Sequence, residues 1–347
     1  MPERSTAADA GPEAVGGVGD RFAAPARAAT RLSLALAGAV LAVELVVPGG
    51  WGAASWTVLV AGLLLGLPHG AVDHLVPAWR LGWRPARLAS FGLGYAALAA
   101  VAYLVFRAAP GPSLAVFVLL SVWHFGSGET AFADLRAGRP VRPRPAASLI
   151  LGAVVLLVPL LRGLDAPAGD VAALTAAVAP GWGGPPGAGT SVVLVASVGA
   201  AAVLAATRAR RRRWLEAVDV AVLTALAVVV PPLAAFGVYF GAWHSLRHVA
   251  RVVAEDPANA AELAAGVLGR PMRRFALVAA GPTGAVGVVL VCLWSWAGGW
   301  RGLVATDLPL LAALTVPHVL VVAWSDRATV DQAGSRRMGT CGMPSST

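Results

Sequence analysis

The sequence predicts an all-α, polytopic integral membrane bundle of about ten transmembrane helices, with both termini in the cytoplasm. Three observations predict it. Of 347 residues, 57% are hydrophobic and only 13% charged, and the mean hydropathy is +0.71; soluble domains carry about 25% charged residues. Apolar runs recur at roughly the 17–22 residues needed to cross a bilayer, without the ten-residue alternation of barrel strands. Arginine-rich connections between the runs alternate with arginine-poor ones.

Residues 1–28 are rich in Ala, Gly and Pro and read as a disordered cytoplasmic tail, followed by a helical membrane domain over 29–327 and a cytoplasmic tail over 328–347. The first run, 32–48, follows Arg21, Arg27 and Arg31. No clear small-residue cleavage site comes after it, so it reads as a retained signal-anchor rather than a cleaved signal peptide. Further runs lie near 51–68, 86–106, 111–132, 146–162, 190–206, 214–232, 233–253, 275–297 and 306–324. Pro231-Pro232 must split one long apolar stretch in two, because proline removes a backbone donor and clashes with the preceding turn. The Gly- and Pro-rich stretch between Arg162 and Thr190, with Asp165 and Asp170, reads as a long external loop with a short interfacial helix.

The net charge of +9 comes from arginine alone, since the chain has no lysine. The arginines sit in short connections: Arg80, Arg84 and Arg87 after the second run, Arg136 to Arg144 after the fourth, Arg208 to Arg213 after the sixth. Arg251 to Arg274 follow the eighth, and Arg327, Arg336 and Arg337 the tenth. The intervening connections hold at most one each. This is the pattern of anchoring beside anionic lipid, not of nucleic-acid binding, and it places both termini in the cytoplasm of a plasma-membrane protein. Cys292 and Cys341 support neither a disulfide framework nor a cysteine metal site.

Every histidine then falls late in an even-numbered run: His69 and His74, His124, His244 and His248, His318. All six share the inner half of the bilayer, within about two helical turns of one depth at 1.5 Å per residue. Imidazoles in membrane helices are costly unless used. His244 and His248, four apart, share one helix face and can grip a single metal ion. Imidazole suits iron, copper or zinc; zinc is the less apt, because nothing points to nucleophilic-water chemistry in lipid.

Three blocks carry the chemistry: Pro68-His69-Gly70-Ala71-Val72-Asp73-His74, Trp123-His124-Phe125-Gly126, and Trp243-His244 through His248. In order, spacing and membrane setting they resemble the bacterial and archaeal Brp/Blh family of β-carotene 15,15′-dioxygenases. That resemblance implies a membrane enzyme using Fe(2+) and dioxygen to cleave β-carotene centrally to two molecules of retinal. It maps the iron ligands to His69, His124, His244 and His248, and a retinal-accepting opsin is the partner it suggests. Asp73, four residues after His69, and Glu129, five after His124, are expected to orient metal-bound imidazoles. Trp123, Phe125, Tyr239, Phe240 and Trp243 are expected to line a polyene pocket. His318, after Pro317 at the same depth, is open as a pocket residue, a fifth ligand or a packed histidine. His74 is expected to cap a helix or face the headgroups, with a ligand role the lesser alternative. Glu216 and Asp219, beside the arginine run, are expected in salt bridges.

Two rival classes remain. A membrane di-iron hydroxylase or desaturase wants about eight histidines with HxxHH clusters, and this chain has six and no HxxHH. A transporter would show repeated halves, which are not evident, and a haem-binding membrane protein would need an axial histidine pair.

Overall fold

The computed structural model describes residues 18–166, 169–182, 187–297 and 300–340, and every regular element among them is helical. Helix α1 runs Val18–Val46 and α2 Ala54–Gly66, the latter ending in a 3-10 turn at Leu67–His69. The short α3 (Leu75–Leu81) leads to α4 (Pro85–Ala108) and α5 (Pro110–Arg136). Helices α6 (Pro145–Gly152) and α7 (Val158–Leu164) are joined by a π-helical stretch at Ala153–Leu157. Next come α8 (Asp170–Val178), α9 (Gly187–Arg210) and α10 (Trp214–Val229). Helices α11 (Pro232–Gly237) and α12 (Ser245–Glu255) flank a second π-helical stretch, Val238–His244. The chain ends in α13 (Ala260–Ala264), α14 (Gly269–Trp296) and α15 (Trp300–Thr340).

Among the described residues, seven helices are long and apolar enough to cross a membrane: Arg21–Val46, Pro85–Ala108, Pro110–Arg136, Pro145–Leu164, Gly189–Arg210, Gly269–Trp296 and Asp307–Arg327. Proline at the first helical position of α4, α5, α6 and α11 fixes their starts, where its missing N–H is not needed. The break at Pro231-Pro232 falls where the prolines require it: Val230 and Pro231 are extended, at ψ 144° and 138°. Helix α8 lies inside the 163–189 connection.

The first and last helices run beyond the boundaries drawn on composition, although the last apolar span, Asp307–Arg327, ends at the boundary expected. Helix α1 starts at Val18, within the stretch expected to be a tail, because Phe22, Ala26 and Ala29 pack against Phe132, Ala250, Val253 and Leu263. Arg21 and Arg27 lower the hydropathy there without lowering helix propensity. Helix α15 continues past residue 327 to Thr340. Residues 1–17 and 341–347 lie outside the described residues.

The main core joins α5, the α6–α7 pair, α10 and the α11–α12 segment through Phe125, Val154, Leu223, Leu226, Tyr239 and Trp243. Two glycine contacts bring its helices unusually close. A Cβ on Gly62 of α2 would overlap the Gly237 backbone, and Gly237 and Gly241 meet α2 in the same way. A Cβ on Gly126 of α5 would overlap the Ser148 carbonyl, and one on Gly152 the Val122 carbonyl. Small residues let membrane helices gain backbone dispersion contacts where no hydrophobic drive separates protein from lipid. By contrast α4 and α14 expose most of their side chains.

Gly62→Ala therefore forces α2 from the 237–241 segment and should destabilise the protein by about 1–3 kcal/mol, the usual range for overpacking. Gly94→Ala on α4, with nothing within 4 Å of the new Cβ, should not. Thermal unfolding of the two detergent-solubilised variants checks the contrast; equal midpoints would refute the close contact.

Candidate metal centre

Five elements each bring a histidine to one place. The 3-10 turn closing α2 presents His69, whose Nδ1–H donates to the Gly66 carbonyl and so leaves Nε2 with its lone pair free. His124 projects from the middle of α5, His244 ends the π-helical stretch, His248 follows on α12, and His318 follows Pro317 on α15. All five are buried.

The ring centroids of His69 stand 5.5 Å from His244 and 5.4 Å from His248, and those of His124 and His244 are 5.2 Å apart. His244 and His248 are 6.2 Å apart with nearly parallel rings, as the i, i+4 spacing requires. His318 stands 4.9 Å from both His69 and His124 and 5.3 Å from His248. Glycine eases one imidazole in: a Cβ on Gly70 would sit a tight 3.3 Å from His318 Nδ1, whereas one on Gly128 would make an ordinary 3.5 Å contact with His244 Cε1.

The Nε2 atoms of His124, His244 and His318 are buried without a hydrogen-bond partner. An unpaired polar atom in an apolar interior carries a penalty of about 1–3 kcal/mol, and such atoms usually mark a missing water or ion. Several convergent, unpartnered imidazole nitrogens are the donor set of a metal centre. His74 stands outside this set. It is the half-buried residue preceding α3, makes no side-chain cap, and lies on the wall of the cavity beside the cluster.

The two expected orienting carboxylates take other partners. The Asp73 carboxylate accepts from His318 Nδ1 at 2.7 Å and from the Tyr95 hydroxyl at 3.0 Å, and no bond links it to His69 among the described residues. The cause is the turn at 67–74: α2 ends at Gly66, so His69 and Asp73 do not lie on one continuous helix face. Asp73, His248 and His318 do bring one ligand atom each within 4.8 Å of one another. Because Asp73 already accepts from His318 and Tyr95, it acts through His318 rather than as a donor of its own.

Glu129 does not bond His124. It accepts from Trp243 Nε1 at 3.1 Å, from Tyr239 Oη at 3.4 Å and from Arg247 Nη1 at 3.0 Å. Arg247 also donates to Asp219 at 2.9 Å and lies 3.9 Å above the Trp243 ring. Asp219 pairs with Arg136 as well, while Glu216 meets Arg208 and Arg213 at the arginine run. This buried cluster braces the helix carrying His244 and His248 against α5 and α10. Arg247 is legible in the sequence as a charge inside an apolar run that needs acidic partners; nothing there picks out Tyr95.

A cavity of about 520 Å³ opens beside the histidines. Of the candidate pocket residues Phe125, Phe240 and His318 line it, together with Phe106, Phe117 and Phe236. Three other expected pocket residues do not. Trp123 points outward with 40% of its surface exposed, while Tyr239 and Trp243 lie behind the wall, held by Glu129. Both are set by the π-helical stretch, whose wider turn moves residues off a 3.6-residue wheel.

The family model described as Beta-carotene 15,15'-dioxygenase matches residues 60–326. The Halobacterium salinarum protein named "Probable beta-carotene 15,15'-dioxygenase Blh" is 36% identical over 289 residues, covering 78% of this chain and 83% of that protein. A second from Halobacterium salinarum, "Probable beta-carotene 15,15'-dioxygenase Brp", is 28% identical over 78% of this chain and 82% of its own length. The "Beta-carotene 15,15'-dioxygenase" of an uncultured marine bacterium, 66A03, is 30% identical over 56% of this chain and 67% of its own. No solved structure matches.

Arg247→Ala strands Glu129 as an unpaired buried charge, leaves Asp219 to Arg136, and should lower stability by about 3–5 kcal/mol. Arg213→Ala, at a half-exposed pair 3.7 Å long, should change it by less than about 1 kcal/mol. Thermal midpoints and folded yield in detergent check both values.

Proposed function

The chain belongs to the beta-carotene 15,15'-dioxygenase family, and on that premise we propose a membrane-embedded, iron(II)-dependent dioxygenase that cleaves β-carotene at its central 15,15′ double bond to two molecules of all-trans-retinal. The observation that carries the iron is the buried histidine cluster, with its partnerless Nε2 atoms, on the wall of an apolar cavity. These residues fit the group: neutral nitrogen donors suit iron(II) and leave positions open. His69, His124, His244 and His248 would hold it.

A bound iron supplies the activation of dioxygen, which no side chain of this chain can perform. What the chain supplies is the setting. Both oxygen atoms of dioxygen end in the two aldehydes and one carbon–carbon double bond is lost, so no external reductant or proton is needed. That matches a cavity wall with a single carboxylate, Asp73, already engaged by His318 and Tyr95. Phe125, Phe236 and Phe240 give the polyene flat apolar walls and keep water out. Glu129 and Arg247 hold the segment bearing His244 and His248 in place.

The substrate is a hydrocarbon dissolved in lipid, and it enters sideways between α4 and α14. Gly92 and Tyr95 of α4 and Pro282, Thr283 and Val286 of α14 all line the cavity, yet the two helices do not pack closely on each other. Ten spans complete the topology: segments 54–69, 214–229 and 232–255 join the seven long helices. The arginine alternation then puts both termini and the histidine depth on the cytoplasmic side of the plasma membrane. Retinal released into the same bilayer would reach an opsin there.

Expression in a β-carotene-producing host should replace β-carotene by retinal in extracted pigment, and purified wild type should carry iron that His244→Ala lacks. Persistent β-carotene despite confirmed membrane expression, or unchanged iron in the variant, would sink the proposal. Gly92→Trp, where no atom lies within 4 Å of a new Cβ, should fold, keep its iron, and lose most turnover of β-carotene. Full turnover by that variant would refute entry beside α4.

A further inference from the structure

We propose that the metal centre is built from five histidines, with His318 the fifth nitrogen donor, turned onto the metal position by Asp73 and Tyr95. The inference rests on the iron reading above and extends it to a residue on α15, which that reading leaves among the cavity-lining groups.

Distance is the first argument. The His318 ring lies 4.9 Å from both His69 and His124, closer than the 5.2–6.2 Å that separates neighbouring rings among the other four. A histidine that merely lined the polyene channel would have no reason to wedge between two ligand rings.

The second argument is hydrogen bonding. His318 Nδ1–H donates to Asp73 at 2.7 Å, so the proton is fixed on Nδ1 and the lone pair on Nε2. That Nε2 is buried with no partner, as are those of His124 and His244. An imidazole bound to a carboxylate through one nitrogen and to a metal through the other is the recurrent arrangement that raises ligand basicity. Tyr95 completes it, donating its hydroxyl to the same Asp73 oxygen at 3.0 Å. Among the histidines of the cluster, His318 has this carboxylate to itself.

The surroundings hold the ring there. Gly70, next to His69, leaves the space the ring occupies; a Cβ would come within 3.3 Å of Nδ1. Two turns further along α15, Asp326 meets Arg251 of α12, and the Ser325 carbonyl accepts from Arg80 at 2.7 Å. Arg80 also pairs with Glu255 at 2.9 Å. This clasp ties the helix of His318 to the helix of His248, so the two rings keep their separation.

The test is metal binding, read without turnover. Wild type, His318→Ala, Asp73→Asn and His244→Ala are stripped, reloaded anaerobically with iron(II) against a competing chelator, and separately loaded with cobalt(II) for absorption spectra. His318→Ala should weaken iron(II) binding about 10–100-fold, and Asp73→Asn about 10-fold, the range seen when ligand support is lost. The cobalt(II) bands of His318→Ala should intensify as the coordination number falls, and added imidazole should return them toward wild type. Unchanged affinity and an unchanged spectrum in His318→Ala, with metal lost in His244→Ala, would overturn the fifth donor and leave the iron reading standing. A wild type that binds neither metal would overturn both. Should His318→Ala not fold, Asp73→Asn decides alone: wild-type affinity and spectrum in that variant would refute the proposal.

Discussion

Polar side chains drawn into an apolar interior must be satisfied there, and that constraint arranges the whole inner half of this bundle. Water is not at hand to solvate a stray nitrogen or carboxylate, so each buried group either finds a partner in the chain or marks a place for something else. Glu129, Arg247 and Asp219 close on one another. Asp73 closes on His318 and Tyr95. The Nε2 atoms of His124, His244 and His318 stay open, and their rings belong to one cluster drawn from three different elements. Pairing elsewhere is what makes that openness informative.

Much of this was legible in the sequence. The apolar runs and their arginine alternation give helix positions close to those observed, and the common depth of the histidines singles them out before any contact is known. The i, i+4 spacing of His244 and His248 gives their shared direction. What the sequence could not convey is local departure from the 3.6-residue helix. The 3-10 turn at Leu67–His69 and the bend after it carry Asp73 away from His69 and toward α15. The π-helical stretch at Val238–His244 turns Tyr239 and Trp243 behind the wall and onto Glu129. Glu129 itself, five residues beyond His124, lies about 140° round the helix from it, which already argues against the pairing. The partners across helices, such as Tyr95 for Asp73, depend on a packing angle that no single run encodes.

Glycine links the two levels. Gly62, Gly126, Gly152, Gly237 and Gly241 each touch a neighbouring backbone at a distance no side chain allows. Those contacts draw α2, which leads into His69, against the 237–241 segment, which leads into His244, and seat α5 against α6. A bundle spaced by leucines would hold the same histidines too far apart. Hydropathy sees these glycines only as gaps in an apolar run, yet they set the distance on which the centre depends.

Packing is also distributed unevenly, and the imbalance has a functional sense. The helices bearing His124, His244 and His248 sit in the main core, braced by buried charge pairs and close backbone contacts. Donor atoms need to hold their positions to within a fraction of an ångström, which rigid, well-packed elements provide. Helices α4 and α14 complete the cavity from the other side but are covered mostly by lipid-facing side chains of their own. Segments with few buried contacts open at low free energy. On the proposed lateral entry a forty-carbon substrate would part α4 from α14, neither of which carries a histidine, while α4 reaches His318 only through Tyr95 and Asp73. The proposed entry would use that division: the helices of His124, His244 and His248 stay packed in the main core, and the Tyr95–Asp73 contact has to hold while α4 and α14 part.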